Sequence, residues 1–324
     1  MRLTRIAAAG AAALLLWGCG AKGRAADTSG AEETAPAAPA IAFNADSAYS
    51  YVERQVAFGP RVPGSAAHSE CGAWIASELR RHGAEVTEQR APLTCFDGKT
   101  FEAHNILGRY NPEATRRILL LAHWDTRPWA DEDPDPAKRT QPVDGANDGA
   151  SGVGVLLELA RQLGAKAPAV GIDLLMVDLE DRGTSGDEES WALGTRHFIE
   201  NPPIAGYAPD YAILLDMVGG ERATFCREYF SEQAAPQIAA AVWAEAHRAG
   251  YGQMFPNRMG GAVTDDHVQL INHGIPAIDI IEYHPDGDSG FNPRWHTTSD
   301  TMEGIDRATL GAVGQTVANH IYGL

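Results

Sequence analysis

The chain has 324 residues, 44% of them hydrophobic and 8% aromatic, enough for one large core or two small ones. Its 43 acidic residues outnumber 26 basic ones, giving a formal net charge of −17. That balance argues against nucleic acid as a partner, since phosphate binding needs basic patches. Acidity serves solubility, and it also suits a cationic ligand such as the free ammonium of a peptide.

Arg2 and Arg5 form a basic region ahead of an apolar stretch, 6–17, too short to span a bilayer as a permanent helix. Leu16-Trp17-Gly18-Cys19 resembles a lipoprotein cleavage box, although Trp17 replaces the small residue preferred there. Residues 1–18 therefore read as a signal peptide with Cys19 as the lipidated residue; the alternative is an ordinary secretory signal with an incidental cysteine. Gly20 stands where an aspartate would retain a lipoprotein in the inner membrane. The expectation is export and a lipid anchor, in the outer membrane of a diderm bacterium, facing the periplasm or the cell surface. Residues 19–42, rich in Ala, Gly, Pro and Thr, read as a flexible tether.

From Phe43 the pattern is globular and without internal repeats. Helical spacing covers 46–58, followed by the break Gly59-Pro60-Arg61-Val62-Pro63-Gly64. Ser65 is a candidate N-cap for a helix through His82 that ends at Gly83. Two strands, 85–93 and 101–109, flank an Asp97-Gly98 hairpin turn. An apolar strand over 117–122 leads to a polar loop with four prolines and a helix over 151–163. The strand at 172–179 precedes an acidic loop and a short helix near 191–200. After the strand at 211–215 come helices at 234–249 and 265–273, a buried strand at 275–281, and a closing helix at 305–322. Strands alternating with helices predict one α/β domain, 43–324, with a mostly parallel core and hairpin strands at an edge. Cys71, Cys95 and Cys226 are open to one disulfide, with Cys71–Cys95 the favoured pair, or to three buried thiols.

Residues of metal-binding type close these apolar runs. RILLLA delivers His123-Trp124-Asp125, IDLLMVDL delivers Glu180-Asp181, and YAILL delivers Asp216; Asp148 lies in a Gly-rich turn and His296 near the end. Singly, each reads as a helix cap or a surface loop. Together they place carboxylates and imidazoles at the carboxyl ends of strands, where open α/β sheets gather ligands. Charged groups there would be desolvated without a partner, so a cation is the economical explanation. Imidazole with carboxylate suits Zn²⁺, which can keep one position open for catalysis. The chain reads as a zinc enzyme.

LAHWDTRPWAD from Leu121, GANDGASGVGVLLELA from Gly145, LEDRG from Leu179, ILLDMVGG from Ile213, TDDHV from Thr264 and RWHTTSDTMEGID from Arg294 together resemble the zinc aminopeptidase and glutaminyl cyclase superfamily. The resemblance runs from Phe43 to Leu324. It implies a single-domain, mixed, mostly parallel sheet sandwiched by helices. Within the superfamily these segments look most like bacterial relatives of the animal-type glutaminyl cyclases. Those convert the N-terminal glutamine of peptides or proteins to pyroglutamate and release ammonia. Carried over by position, the resemblance implies one zinc on Asp148, Asp181 and His296, with Glu180 as general acid/base. Asp216 and Asp265 would be carboxylates hydrogen-bonded around that base, and Trp295 and Phe291 pocket aromatics. His123, with Asp125 behind it, matches a position that binds a second zinc in the aminopeptidases, with Asp216, and stands empty in the cyclases.

The chain departs from the animal pattern in three ways. Glu180-Asp181 replaces a Glu-Glu pair. The tryptophan expected two turns after the acid pair is missing, Trp191 being the nearest candidate. No cysteine lies near His123 or Asp148 to form the animal disulfide. A secreted two-zinc aminopeptidase is the nearest rival, since all its ligand types are present. Against it stands Asp265, where such peptidases usually carry a serine, and Trp295 before the last histidine. A non-catalytic surface lipoprotein is permitted by fold alone, but an intact Glu180 argues against a decayed site. Membrane contact is expected only through the lipid anchor.

Overall fold

The computed structural model describes residues 41–287 and 290–324. The expected signal peptide, Cys19 and the tether through residue 40 lie outside the described residues.

Asn44 caps helix α1 (Ala45–Val56) by accepting from the Ser47 amide, and Ser65 caps α2 (Ala66–Arg81) by accepting from the His68 amide. Each supplies an acceptor to an amide that the helix leaves without a carbonyl. Strands β1 (Glu85–Thr94) and β2 (Thr100–Tyr110) form the antiparallel hairpin. Its turn contains Gly98 at φ 76°. The core strands are β3 (Arg117–His123), β4 (Gly171–Val177), β5 (Tyr211–Asp216) and β6 (Ala277–Ile281), and every residue in them is buried. That is why they read as largely apolar runs, the internal Asp173 and Asp279 excepted: a parallel sheet is covered on both faces.

The sheet order is β1-β2-β4-β3-β5-β6; β2 pairs antiparallel with β4, and β4, β3, β5 and β6 run parallel. One face, carrying Ile118, Leu120, Ile172, Leu174, Ile213 and Ile278, packs in the main core with α1, α2, α3 (Ala150–Ala165), α6 (Pro236–Arg248) and α8 (Arg307–Tyr322). The other face, with Leu119, Leu121, Leu175 and Leu214, meets Phe198 of α4 (Leu193–Glu200) and Leu270 of α7 (Asp266–Asn272). Parallel strands share one carboxyl edge, so the residues after β3, β4, β5 and β6 converge there.

Two expectations are corrected. The helix expected over 234–249 is α6, and a further helix the sequence reading did not expect, α5 (Tyr229–Ala234), precedes it, the two separated at Ala235 (φ −142°, ψ 50°). The ring of Pro236 disfavours helical backbone in the residue before it. The short helix begins at Leu193 rather than near Trp191, because Ala192 takes a left-handed conformation at φ 54°. Of the two readings left open for the cysteines, the structure has the second: Cys71, Cys95 and Cys226 are all free and buried. Cys71 sits in the main core, whereas Cys95 packs with Ala103 and Leu179.

Candidate metal centre

The carboxyl edge brings the strand-end residues into two overlapping donor groups. Asp148, Asp181 and His296 each offer an atom within 4.8 Å of the others, and so do His123, Asp148 and Asp216; all five are buried. His296 Nε2 lies 3.2 Å from Asp181 Oδ1 and 3.6 Å from Asp148 Oδ2. His123 Nε2 lies 2.9 Å from Asp148 Oδ1 and 3.2 Å from Asp216 Oδ1. Asp148 thus stands between the two imidazoles, one oxygen toward each. Trp124, beside His123 in sequence, is fully buried, donates its indole N–H to the His104 carbonyl at 3.1 Å and stacks on His68. It is a packing residue.

Long-range hydrogen bonds fix the backbone that presents these donors. Asp125 accepts from the amides of Glu180 (3.2 Å) and Asp181 (3.3 Å), tying the acid pair after β4 to the end of β3. Asp300 accepts from the amides of Asn147 (2.8 Å) and Asp148 (3.1 Å). The buried Arg61 guanidinium donates to the carbonyls of Asp144 and Gly145 in the same turn. Gly149 is required by close approach, since a Cβ there would stand 2.5 Å from His123 Nε2. Leu179, Met217 and His296 adopt left-handed backbone at φ 56°, 47° and 53°. Such strain costs on the order of 1–3 kcal/mol per residue and gathers at functional sites.

Glu180 and Asp265 are held well above the ordinary carboxylate range. For Glu180 burial is the largest cause; Asp265, Asp181 and Asp266 add to it, and His123 opposes it. For Asp265 burial again leads, followed by the charges of Asp216 and Asp266. Asp216 is raised by burial and partly relieved by His123. These three carboxyls stand together beside the donors, all raised, with burial the leading cause in each.

The rings of Trp295 and Phe291 meet at 4.6 Å, tilted by 33°, and pack against Met217, Val263, Ile281 and Tyr283, forming an aromatic wall beside the donors. A cleft lined by Asn147, Asp148, Met217, Asn292, Trp295 and Asp300 opens along it. Sequence reading missed three contributors. Asp131 stands 3.5 Å from His296 Nδ1, behind the imidazole. Arg127 reaches Asp181 Oδ1 at 3.4 Å and pairs with Asp131 at 2.5 Å. Asp300 is the third. Trp191, the nearest tryptophan after the acid pair, lies flat beside the His296 ring.

Two carboxylates and an imidazole, buried and within reach of one atom, form an N/O donor set of the kind catalytic zinc takes, with a coordination position left for substrate. The carboxylate behind His296 fits as well, because ligating histidines commonly donate their other N–H to one. The residues present fit a zinc ion.

A family description, peptidase family M28, matches residues 105–321. A glutaminyl cyclase from Tannerella forsythia is 52% identical in structural alignment, with a TM-score of 0.86 over 88% of this chain and 100% of that one. A zinc-dependent exopeptidase from Parabacteroides distasonis is 54% identical, with a TM-score of 0.86 over 88% of this chain and 99% of that one. Bovine glutaminyl-peptide cyclotransferase is 25% identical over 235 residues, which are 64% of this chain and 62% of the bovine one.

Proposed function

The chain belongs to peptidase family M28, and from that premise we propose that it cyclises the N-terminal glutamine of peptides and proteins to pyroglutamate, releasing ammonia, in a zinc-dependent reaction. The observation that carries this reading is the group of raised carboxyls, Glu180, Asp265 and Asp216, beside the donor set Asp148–Asp181–His296. The likeness to bacterial glutaminyl cyclases at about half identity supports it.

In this reaction the substrate's α-amine attacks its own γ-amide carbon. A ring C–N bond forms, the bond to the amide nitrogen breaks, and one proton passes from the amine to the departing ammonia. One zinc on Asp148, Asp181 and His296 would supply Lewis acidity toward the γ-carbonyl oxygen. Glu180 accepts the amine proton and returns it to the leaving nitrogen; its raised affinity for protons suits both halves of that transfer. Burial holds that affinity up, and Asp265 and Asp181 add to it. Nucleophile and electrophile share one molecule, so the remaining task is to fold the glutamine side chain into attack geometry. The wall of Trp295 and Phe291 provides the apolar surface for it.

One observation favours a second reading, a two-zinc aminopeptidase: Asp148 belongs to both donor groups, and His123 and Asp216 complete the other. Asp265 speaks against it, because a further carboxylate there competes for the groups that the second metal needs. The deciding assay measures ammonia release from a Gln-initiated peptide beside cleavage of a Leu-initiated chromogenic amide. Ammonia from the first with the second intact supports cyclisation; cleavage of the amide without ammonia overturns it.

We also propose that Cys19 carries a lipid and tethers the enzyme to a membrane after export. The leader pattern of residues 1–18 supports this, and a Cys19→Ser variant moving from the membrane to the soluble fraction would test it. Among the described residues no helix is long and apolar enough to cross a membrane.

A further inference from the structure

Behind the catalytic carboxyls lies a third donor group, Asp265, His267 and Asp279, again with one atom each within 4.8 Å of the others and all buried. Asp265 precedes α7, His267 is in its first turn, and Asp279 is in the middle of β6. His267 Nε2 lies 3.1 Å from Glu228 Oε2. That carboxylate also accepts from the amides of Phe230, Ser231 and Val263. Glu228, which accepts these amides, is placed to accept from His267 Nε2 as well, which leaves Nδ1 as the ring nitrogen that faces Asp265 and Asp279.

His267 Nδ1 has no hydrogen-bond partner, and neither have Asp265 Oδ2 nor either oxygen of Asp279. His267 and Asp279 are 0% exposed, so water does not reach them from outside. Nδ1 faces Asp279 Oδ2 at 3.7 Å, too long for a hydrogen bond. Two ligands of one zinc, at about 2.0–2.2 Å each, stand roughly 3.3–3.6 Å apart in a tetrahedron. The spacings in the catalytic donor group are 3.2 and 3.6 Å. Glu228, Asp265, Asp266 and Asp279 are all buried, and among the described residues no Lys or Arg forms an ion pair with any of them. Buried carboxyl oxygens and an imidazole nitrogen that converge without hydrogen-bond partners offer a cation a ready-made set of ligands. The carboxylate behind the histidine reproduces the carboxylate–histidine–metal arrangement.

We propose that Asp265 Oδ2, His267 Nδ1 and Asp279 bind a structural Zn²⁺, separate from the catalytic donors, with Glu228 orienting His267. The ion would fasten the start of α7 to β6 and so fix Asp265, the neighbour of the general base. Zinc content of the purified whole protein after dialysis is the test, read in Asp148→Ala, which removes a donor from both active-site groups at once. One equivalent should remain in Asp148→Ala and disappear in Asp148→Ala/His267→Gln. Anomalous diffraction from crystals of the unsubstituted protein at the zinc edge needs no variant and should place a peak among Asp265, His267 and Asp279. No peak there, or a folded Asp148→Ala protein free of zinc, overturns the proposal. Neither readout uses turnover, so failure of the cyclase reading would show separately, in the ammonia assay.

Discussion

The indole of Trp191 lies nearly parallel to the imidazole of His296, ring centres 6.2 Å apart and planes inclined by 16°. The loop after Asp181 folds back to make this contact. A Cβ on Gly183 would stand 2.1 Å from the indole, so the ring rests directly on that backbone. The Arg127 guanidinium sits 5.0 Å over the other ring partner, the indole itself, and links it to Asp181. A tryptophan therefore flanks the donor histidine although it sits far from the position that spacing from the acid pair would give.

Trp191→Ala should keep its zinc and lose several-fold in kcat/KM for Gln-initiated peptides, because an aromatic pair of this kind is worth about 0.5–1.5 kcal/mol. Trp191→Phe should recover most of the loss. Equal activity in Trp191→Ala and the unsubstituted protein would show that the indole has no part in shaping the site.

Asp300 is the second place where support comes from afar. Both its oxygens accept backbone amides of the turn that carries Asp148, 152 residues earlier. Asp300→Asn leaves one acceptor where two amides need one each. Loss of such outer partners typically costs metal sites about 10–100-fold in affinity. Competition with a zinc chelator should show that weakening while the far-ultraviolet dichroism stays that of the unsubstituted protein; unchanged zinc affinity would assign the turn's geometry to Arg61 alone.

Much of this was legible in the sequence for one reason. Buried parallel strands are mostly apolar, so a charged residue ending each run stands out, and His123, Glu180, Asp181 and Asp216 were singled out that way. Asp265 was legible both as a cap and as a site carboxylate, and it faces in both directions: it accepts from the Asp266 amide and raises Glu180. What escaped depends on contacts between distant segments, which no local period records. Asp300 and Asp131 lie in irregular loops. Asp279 interrupts an apolar strand without marking its end. Helix α5, ahead of Ala235, escaped because its six residues are too few for a helical period to show.

The three described cysteines give a test of the fold itself. Burial pushes the Cys71 thiol up to about 12 and raises Cys95 and Cys226 as well. The thiolate is the reactive form, so none should react with iodoacetamide in the folded protein near neutral pH. After unfolding without reductant, peptide mapping should find all three alkylated. A Cys71–Cys95 bridged peptide would contradict the structure.

The proton acceptor is where the cyclase mechanism is most exposed. Glu180→Gln preserves shape, and none of its atoms belongs to the donor group Asp148–Asp181–His296, so zinc should remain bound. General acid–base catalysis is typically worth about 10²–10⁴-fold, and kcat should fall by that much with KM little changed. Asp181→Ala should fail differently, by losing the metal. The pH dependence separates the base from everything else. Glu180 must be ionised to accept a proton, and burial sets its pKa above the ordinary carboxylate range, so its form competent for catalysis is lost as pH falls through that raised value. The substrate's α-amine must also be neutral, and it is lost in the same direction. On the acid side log kcat/KM should therefore fall with a slope of two in the unsubstituted enzyme. In the residual activity of Glu180→Gln the slope should be one, from the amine alone. A slope of one in both would mean that Glu180 does not handle the proton, and a blocked α-amine that still released ammonia would remove the amine as nucleophile.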